Sequence, residues 1–257
     1  MKIREEYEYN LTWGTKLKYA IKEDRLVPYF QPIANNNDDS IQKFECLVRL
    51  IEEDGSAITP GVFLGVAKKF KLSPDITRIM IEKSLLVLKD SDYEISLNLS
   101  YEDIIDTETT DFIKANLQER EIAERVTFEL LESESIANYE QVHLFIQDIK
   151  ALGCHISIDD FGTGYSNFEH ILRLNVDFIK IDGSLIKELD TDDNAYVVTR
   201  SIVNFAKELD IRTTAEWVHS QSVLEKVKSL GVDYAQGFYI GEPAPTPSKI
   251  PKYETSE

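Results

Sequence analysis

Polar side chains interrupt a series of short apolar runs in this 257-residue chain, and their types are those that bind metal ions and transfer protons. Every run from the second to the eighth carries at least one such residue at or near its C-terminal end. An ionised carboxylate in apolar surroundings costs much free energy unless it is paired or bound to a cation, so we expect these residues to form one site. The residues are Glu45, Arg49, Asn98, Glu129, Glu132, Asp159, Asp160, Lys180, Asp182, Glu216 and Gln236.

The acidic members of this set predict a centre with two divalent cations. Carboxylates that converge on one place cannot all ionise without a cation. Five of them carry five negative charges, which two divalent ions and Lys180 would balance: Glu45, Glu129, Asp159, Asp160 and Glu216. Oxygen ligands, including the amide of Asn98, suit Mg²⁺, Mn²⁺ or Ca²⁺ better than Zn²⁺, and the 4 histidines form no zinc-hydrolase motif.

The spacing of the polar residues limits how they can meet. Glu45 and Arg49 share one face of a strand but lie roughly 13 Å apart along it, so they reach different parts of a ligand. Asp159 and Asp160 are adjacent and would point in opposite directions on a regular strand. Both can approach one metal pair only where the strand ends and the chain turns into the segment 161–164.

The elements that would position these residues alternate between strand and helix patterns, which is typical of an α/β fold with parallel strands. Eight such units at this length predict a (β/α)8 barrel, in which chemistry collects at the C-terminal ends of the strands. The predicted helices are 16–22, 77–88, 139–152, 195–208 and 223–230, with Ser220 as a helix cap and Gly153 and Gly231 as helix stops. The predicted strands are 27–33, 44–50, 94–99, 126–131, 155–160, 177–181, 212–218 and 233–238.

The first strand is predicted to depart from a regular barrel. Residues 34–42 between the first two strands are polar and too few for a helical crossover, which needs about a dozen or more residues. The first strand should therefore run antiparallel to the second. We expect one domain over residues 13–245, a linker remnant over 1–12 that follows an upstream sensory or GGDEF-like domain, and a loose tail over 246–257.

Composition narrows the class of ligand and the compartment. The formal net charge of -18 argues against a nucleic-acid polymer as partner, while a small anionic ligand can be received by metal ions or by local Arg and Lys residues. Cys46 and Cys154 form no motif, which favours buried free thiols in a reducing compartment. No apolar stretch has the length of a membrane span or a signal peptide, so we expect a cytoplasmic protein.

Several sequence strings resemble those of the EAL domain family, from about Trp13 to Pro245. The most specific are DDFGTGYS at 159–166 and DFIKID at 177–182. The others are YFQPI at 29–33, FECLVR at 44–49, NLS at 98–100, FELLE at 128–132, AE at 215–216 and DYAQG at 233–237. The resemblance implies a TIM-like barrel with an antiparallel first strand and a phosphodiesterase that opens cyclic di-GMP to linear pGpG.

The resemblance also implies a cofactor and its ligands. Two Mg²⁺ or Mn²⁺ ions would be bound, with Ca²⁺ binding and inhibiting. The first ion would be held by Glu45, Asn98, Glu129 and Asp159. The second would be held by Asp159 and Asp160, with Glu216 contacting its water.

Further roles follow from the same resemblance. Lys180 would contact the nucleophilic water, so Lys180, Glu216 and Glu45 are the implied catalytic residues. Glu132 would hold the loop 161–167, through which the family forms its homodimer. The nucleotide would be bound by Gln31, Arg49, Asp182 and Gln236.

Three positions differ from the family pattern and leave alternatives open. The family has Ala where this chain has Cys46, Gly where it has Trp217, and Glu where it has His219. The first alternative is a catalytically weak or inactive EAL domain that serves as a cyclic di-GMP receptor. The second is an unrelated barrel hydrolase with carboxylate-bound metal.

Overall fold

The computed structural model describes residues 2–133, 139–162, 168–249 and 251, and eight of its strands form a closed barrel. The strand order around the barrel is β1-β9-β8-β7-β6-β5-β4-β2, and the pairing of β1 with β2 closes it. The two-residue β3 extends β2 outside the ring. The strands are β1 Leu26–Asn35, β2 Ile41–Ile51, β3 Ala57–Ile58, β4 Glu94–Leu99, β5 Val126–Leu131, β6 His155–Phe161, β7 Phe178–Ile181, β8 Arg212–Ala215 and β9 Tyr234–Gln236.

The predicted barrel and its antiparallel first strand are both confirmed. β1 pairs antiparallel with β2 on one side and with β9 on the other, whereas the remaining barrel pairs are parallel. The short turn between β1 and β2 leaves no room for a crossover helix, so the two strands form a hairpin. Its register places Gln31 directly opposite Glu45.

Helices surround the barrel and connect its parallel strands. β5 is buried along nearly its whole length because one face looks into the barrel and the other is covered by helices. The helices are α1 Lys2–Lys22, α2 Leu64–Lys69, α3 Ser73–Lys89, α4 Tyr101–Ile105, α5 Thr107–Asn116, α6 Arg120–Ala123, α7 Tyr139–Leu152, α8 Phe168–Leu174, α9 Gly183–Ile186, α10 Asp193–Glu208 and α11 Gln221–Leu230, with a 3-10 turn at Pro60–Val62.

Helix α1 begins at Lys2, well before the predicted start at Lys16, so the residues expected to be a linker are helical. Two long-range contacts explain the difference. The phenol of Tyr9 donates to the Val62 carbonyl at 2.6 Å, and Lys69 pairs with Glu6 at 2.9 Å. Neither contact can be read from the local sequence, and the limits of the domain stay a prediction.

The ends of the elements follow local chemistry. Ser220 caps α11 by accepting a hydrogen bond from the Val223 amide, and Gly231 ends that helix with a left-handed φ of 72°. β8 ends at Ala215, three residues before its predicted end, because Trp217 has a left-handed φ of 57°. Glu216 therefore lies just beyond the strand, at the mouth of the barrel.

The core lies between the barrel and its helices. Residues that alternate along β2 show the division: Phe44 and Cys46 face the helix layer, whereas Lys43 and Glu45 face the barrel interior, and all four are buried. On this strand, polar side chains therefore face the barrel interior, and apolar side chains face the surrounding helices.

Two predicted features lie partly outside the residues that the structure describes. The loop through which the homodimer is predicted to form lies largely in residues 163–167, which are outside the described residues. The homodimer therefore stays a prediction. In the predicted tail, Lys249 pairs with Asp92 at 2.8 Å, while residues 252–257 also lie outside. Among the helices that the structure describes, none is long and apolar enough to cross a membrane.

Candidate active site

The ammonium of Lys180 lies at the centre of the strand-end site. This residue is in the middle of β7 and is buried within the barrel. Its Nζ contacts one carboxylate from each of four strands or strand ends: Glu129 at 2.8 Å, Glu216 at 2.9 Å, Asp159 at 3.0 Å and Glu45 at 3.2 Å. The structure thus brings together the acidic residues that were scattered along the sequence.

Neutral amides hold the Glu45 carboxylate from two sides. Asn98 Nδ2 donates to Oε1 at 2.8 Å, and Gln236 Nε2 donates to Oε2 at 2.7 Å. Gln236 Nε2 also lies 3.1 Å from Oε1 of Gln31, whose own amide donates to the Gly241 carbonyl at 3.3 Å. This chain of amides fixes the orientation of Glu45 and joins β1, β2, β4 and β9.

A backbone irregularity in β6 allows adjacent aspartates to serve one site. The pairing of β6 with β7 shifts between Ile158 and Phe161, and Asp160 takes a left-handed φ of 57° within the shift. Asp tolerates this conformation better than most residues. As a result, carboxylate oxygens of Asp159, Asp160 and Glu216 lie within 4.8 Å of one another.

Burial and mutual repulsion raise the pKa of several of these groups. Burial, followed by the charge of Glu45, raises the pKa of Glu129 to about 8. Burial together with the charge of Asp159 raises the pKa of Glu216 to about 7 in spite of Lys180. Burial and the charge of Asp159 also raise the pKa of Asp160.

Two groups of the cluster are held in their charged forms. Burial alone would raise the pKa of Glu45, but Lys180, Gln236 and Asn98 together hold it below its usual value. Burial alone would lower the pKa of Lys180, but the surrounding carboxylates, led by Glu129, hold it well above its usual value. One ammonium therefore stabilises only part of the acidic cluster.

The donor set fits divalent cations. The oxygens of Asp159, Asp160 and Glu216 form one group that could hold an ion, and Glu45, Asn98 and Glu129 supply further oxygens around Lys180. Hard cations such as Mg²⁺ and Mn²⁺ prefer such ligands. A bound cation would stabilise the charged forms of Glu129 and Glu216, whose pKa values burial and repulsion keep high.

The structure places the remaining predicted residues around the cluster rather than in it. Oε2 of Glu132 accepts a hydrogen bond from the Gly162 amide at 3.3 Å, at the start of the loop that this residue is predicted to hold. Asp182 caps α9 by accepting from the Ser184 amide at 2.8 Å. Arg49 lies further along β2, where it donates to the Val48 carbonyl and lies 5.4 Å from the ring of Tyr29.

A cavity of about 430 Å³ adjoins the cluster. Glu45, Asn98 and Glu129 line one end, and the lining continues over apolar side chains that include Ile76 and Met80. The size is within the usual range for small-molecule sites.

A family described as "EAL domain" matches residues 15–243 of this sequence. The chain belongs to the EAL domain family. The resemblance seen in the strings around residues 159–166 and 177–182 is thereby confirmed.

Two curated relatives of this chain are about 30% identical to it. Cyclic di-GMP phosphodiesterase PdeB of Shewanella oneidensis is 32% identical over 250 residues, which cover 95% of this chain and 29% of that protein. Cyclic di-GMP phosphodiesterase PdeF of Escherichia coli is 31% identical over 251 residues, covering 95% of this chain and 33% of that protein. The chain spans about a third of the length of these relatives.

Solved EAL structures share the fold. The FimX EAL domain from Pseudomonas aeruginosa bound to c-di-GMP superposes with a TM-score of 0.84 at 25% identity, covering 91% of this chain and 96% of that one. The c-di-GMP complex of the PaMucR phosphodiesterase gives a TM-score of 0.83 at 27% identity, covering 95% and 99%.

The departures from the EAL pattern have different surroundings. Cys46 is buried on the face of β2 away from Glu45, and burial raises the pKa of its thiol to about 12, so it acts in packing. His219 is exposed, and its Nδ1 lies 3.3 Å from the Trp217 carbonyl. Trp217 has an exposed side chain next to Glu216.

Lys43, a charged residue buried inside this EAL barrel, was not identified from the sequence. Its Nζ lies 3.1 Å from the Thr127 hydroxyl and 3.6 Å from the centroid of the Phe178 ring. No ion pair joins it to a carboxylate among the described residues. Lys43 lies two residues before Glu45. Because side chains alternate between the two faces of a strand, this spacing predicts that both residues face the barrel interior.

Proposed function

We propose that this EAL domain is a metal-dependent phosphodiesterase that hydrolyses cyclic di-GMP to linear pGpG. The observation that carries the proposal is the convergence of four carboxylates on Lys180 at the mouth of the barrel. Support comes from relatives named cyclic di-GMP phosphodiesterases and from related EAL structures that contain c-di-GMP.

Two Mg²⁺ or Mn²⁺ ions are the proposed cofactor. Divalent cations at such a site neutralise phosphate charge and make a water molecule acidic enough to attack at neutral pH. Asp159 is proposed to serve both ions, with Asp160 and Glu216 at the second. The proposed ligands of the first ion are Glu45, Asn98, Glu129 and Asp159.

The residues of the chain orient the reactants and move protons. The ammonium of Lys180 is proposed to place the attacking water through a hydrogen bond, and the carboxylate of Glu216 to accept a proton from it. The water adds its oxygen to phosphorus, one P–O ester bond breaks, and the released oxygen takes up a proton. Arg49 is proposed to pair with the second phosphate, at the distance along β2 that separates it from Glu45.

The setting of the domain in a longer protein is also a proposal. Because the curated relatives are about three times longer than the matched region, we propose that this domain works beside an upstream sensory or GGDEF-like domain. MucR of Pseudomonas aeruginosa, 28% identical over 240 residues, is named a bifunctional diguanylate cyclase/cyclic di-GMP phosphodiesterase. Location in the cytoplasm and dimerisation through the loop after Asp160 belong to the same proposal.

Chromatographic measurement of cyclic di-GMP breakdown tests the activity. We expect pGpG to form with Mg²⁺ or Mn²⁺, and we expect Asp159→Asn to lower kcat about 100-fold or more because it removes a carboxylate proposed to serve both ions. Asp148→Asn, which removes a surface carboxylate paired with Lys114, is the matched control and should retain full activity.

Three outcomes would contradict the proposal. Turnover that persists in EDTA would exclude metal dependence, and full activity of Asp159→Asn would exclude the proposed ligands. Tight binding of cyclic di-GMP by the wild type without turnover under any of these metals would leave the domain as a receptor.

A further inference from the structure

Trp217 places an exposed indole ring at the mouth of the barrel, directly after Glu216. Its side chain is 58% exposed. The preceding residue contacts Lys180 through its carboxylate at 2.9 Å. The ring is therefore carried by the residue that directly follows a member of the proposed catalytic cluster.

The backbone at this position is unfavourable for tryptophan. Trp217 has a φ of 57°, in the left-handed region that bulky side chains rarely adopt. Glycine, which the family pattern has here, adopts this conformation without strain. The chain therefore carries a large aromatic ring where folding alone favours the smallest residue.

The residues on either side hold the backbone of Trp217 in place. The Glu216 amide donates to the Ile181 carbonyl at 3.2 Å, and the Val218 amide donates to the Gln236 carbonyl at 3.0 Å. Val218 is fully buried. Trp217 is thus tied to β7 through one neighbour and to β9 through the other, which leaves its backbone little freedom.

The start of α9 supports the ring from one side. A Cβ added to Gly183 would lie 2.1 Å from Cδ1 of Trp217, so only glycine allows the indole to approach the backbone there. Lys187, one helical turn later, has its Nζ 3.9 Å from the ring centroid. With these contacts in place, more than half of the side chain still faces solvent beside the active site.

We propose that Trp217 is a stacking platform for a purine base of the cyclic dinucleotide, and hence a determinant of substrate affinity. The inference rests on the proposed function and adds a residue to it. An indole presents a flat face to which any base can stack, and the supported ring needs little reorganisation when the nucleotide binds. The ammonium of Lys187 lies over one face of the ring, so the base would stack on the opposite face, and the lysine contributes a positive charge for a phosphate of the same ligand.

Fluorescence can report on this ring because the chain has only 2 tryptophans. The Trp13→Phe variant leaves Trp217 as the sole indole, and Trp13 lies on α1, where it contacts Tyr9 and Lys16. Cyclic di-GMP is added with Ca²⁺ in place of Mg²⁺, and chromatography checks that the nucleotide stays intact. We expect the Trp217 emission to be quenched with saturation, whereas the same titration of Trp13 in a Trp217→Phe protein should leave the emission unchanged.

Substitutions separate stacking from a structural role. We expect Trp217→Ala and Trp217→Gly to raise the KM and the Kd for cyclic di-GMP about tenfold, the range of base–aromatic stacking, with kcat changed far less. Trp217→Phe keeps a ring and should recover most of the affinity. Leu144→Ala, which truncates an exposed side chain on α7, is the control and should match the wild type.

These experiments test the stacking role of Trp217 separately from the phosphodiesterase activity on which that role depends. Wild-type turnover combined with an unquenched Trp217, or with an unchanged KM in Trp217→Ala, would overturn the stacking role and leave the phosphodiesterase intact. A lower Tm with unchanged Kd in Trp217→Ala would show that the ring only covers Gly183. A wild type that neither binds nor cleaves the nucleotide would overturn both.

Discussion

Lys180 stabilises the carboxylate cluster only in part. Its single positive charge is surrounded by four carboxylates within 3.2 Å, and Asp160 lies next to one of them in sequence. Burial, together with the charges of neighbouring carboxylates, raises the pKa of Glu129 to about 8 and that of Glu216 to about 7, so one ammonium does not hold these two carboxyl groups in their charged forms. At the residue scale, the site therefore has more acidic groups than one ammonium can neutralise, which favours the binding of added cations.

Replacing Lys180 by methionine tests how far its ammonium stabilises the carboxylate cluster. In EDTA at pH 8, we expect Lys180→Met to lower the free energy of unfolding by about 3 kcal/mol, since it leaves buried carboxylates without their partner. Saturating Mn²⁺ should then stabilise the variant more than it stabilises the wild type. Urea denaturation with and without Mn²⁺ measures both effects.

Lys43→Met provides the comparison for that experiment. This lysine is equally buried in the barrel, but among the described residues no carboxylate forms an ion pair with it. Its substitution should not increase the stabilisation by Mn²⁺. Equal stability of Lys180→Met and the wild type in EDTA would show that the cluster does not depend on this ammonium.

The sequence predicted which residue types would meet but not how they are connected. The carboxylates could be assigned to one site because each interrupts a predicted strand, and a barrel of parallel strands collects such residues at one mouth. The central position of Lys180 and the amide link from Gln31 to Gln236 depend on side-chain directions across the barrel. Those directions follow from strand tilt and register, which no local pattern contains.

At the element scale, the bulge in β6 explains how neighbouring aspartates share one site. A regular strand would direct Asp159 and Asp160 to opposite faces. The register shift and the left-handed φ of Asp160 bring both toward Glu216. The sequence predicted that the strand must end here, but the kind of irregularity became visible only in the pairing with β7.

Asp177 ties α7, β6 and β7 together below the site. Its carboxylate accepts hydrogen bonds from Lys150 Nζ at 2.8 Å and from the Ile156 amide at 2.9 Å. Burial alone would raise its pKa, but the nearby His155 ring, 3.8 Å away, and the hydrogen bonds from Lys150 and the Ile156 amide lower it to about 2. The charged form is therefore favoured in the folded protein.

This shift predicts a pH-dependent contribution to stability. Because the pKa is lower in the folded than in the unfolded state, the contribution is present above about pH 4 and is lost as the pH falls towards about 2. We expect Asp177→Asn to lower the free energy of unfolding by about 1–2 kcal/mol at pH 7, a value reduced for partial exposure. Urea denaturation of both proteins between pH 3 and pH 7 measures the difference, and a difference that stays constant over this range would refute the linkage.

The whole molecule presents its chemistry at one end of a closed barrel. Strand and helix alternation, together with the short connection after the first strand, was enough to predict this architecture. The extension of α1 back to Lys2 could not be predicted, because it depends on contacts with residues about 50 to 60 positions away, such as Val62 and Lys69. With a net charge of -18, the molecule as a whole repels anions, so an anionic nucleotide depends on cations at the mouth.

Anomalous diffraction from crystals soaked in Mn²⁺ would show whether the barrel mouth binds two cations, since it locates the ions without reference to activity. We expect two peaks at the mouth of the barrel, one among Asp159, Asp160 and Glu216 and the other beside Glu45, Asn98 and Glu129. Crystals without a peak near these side chains at saturating Mn²⁺ would contradict this expectation.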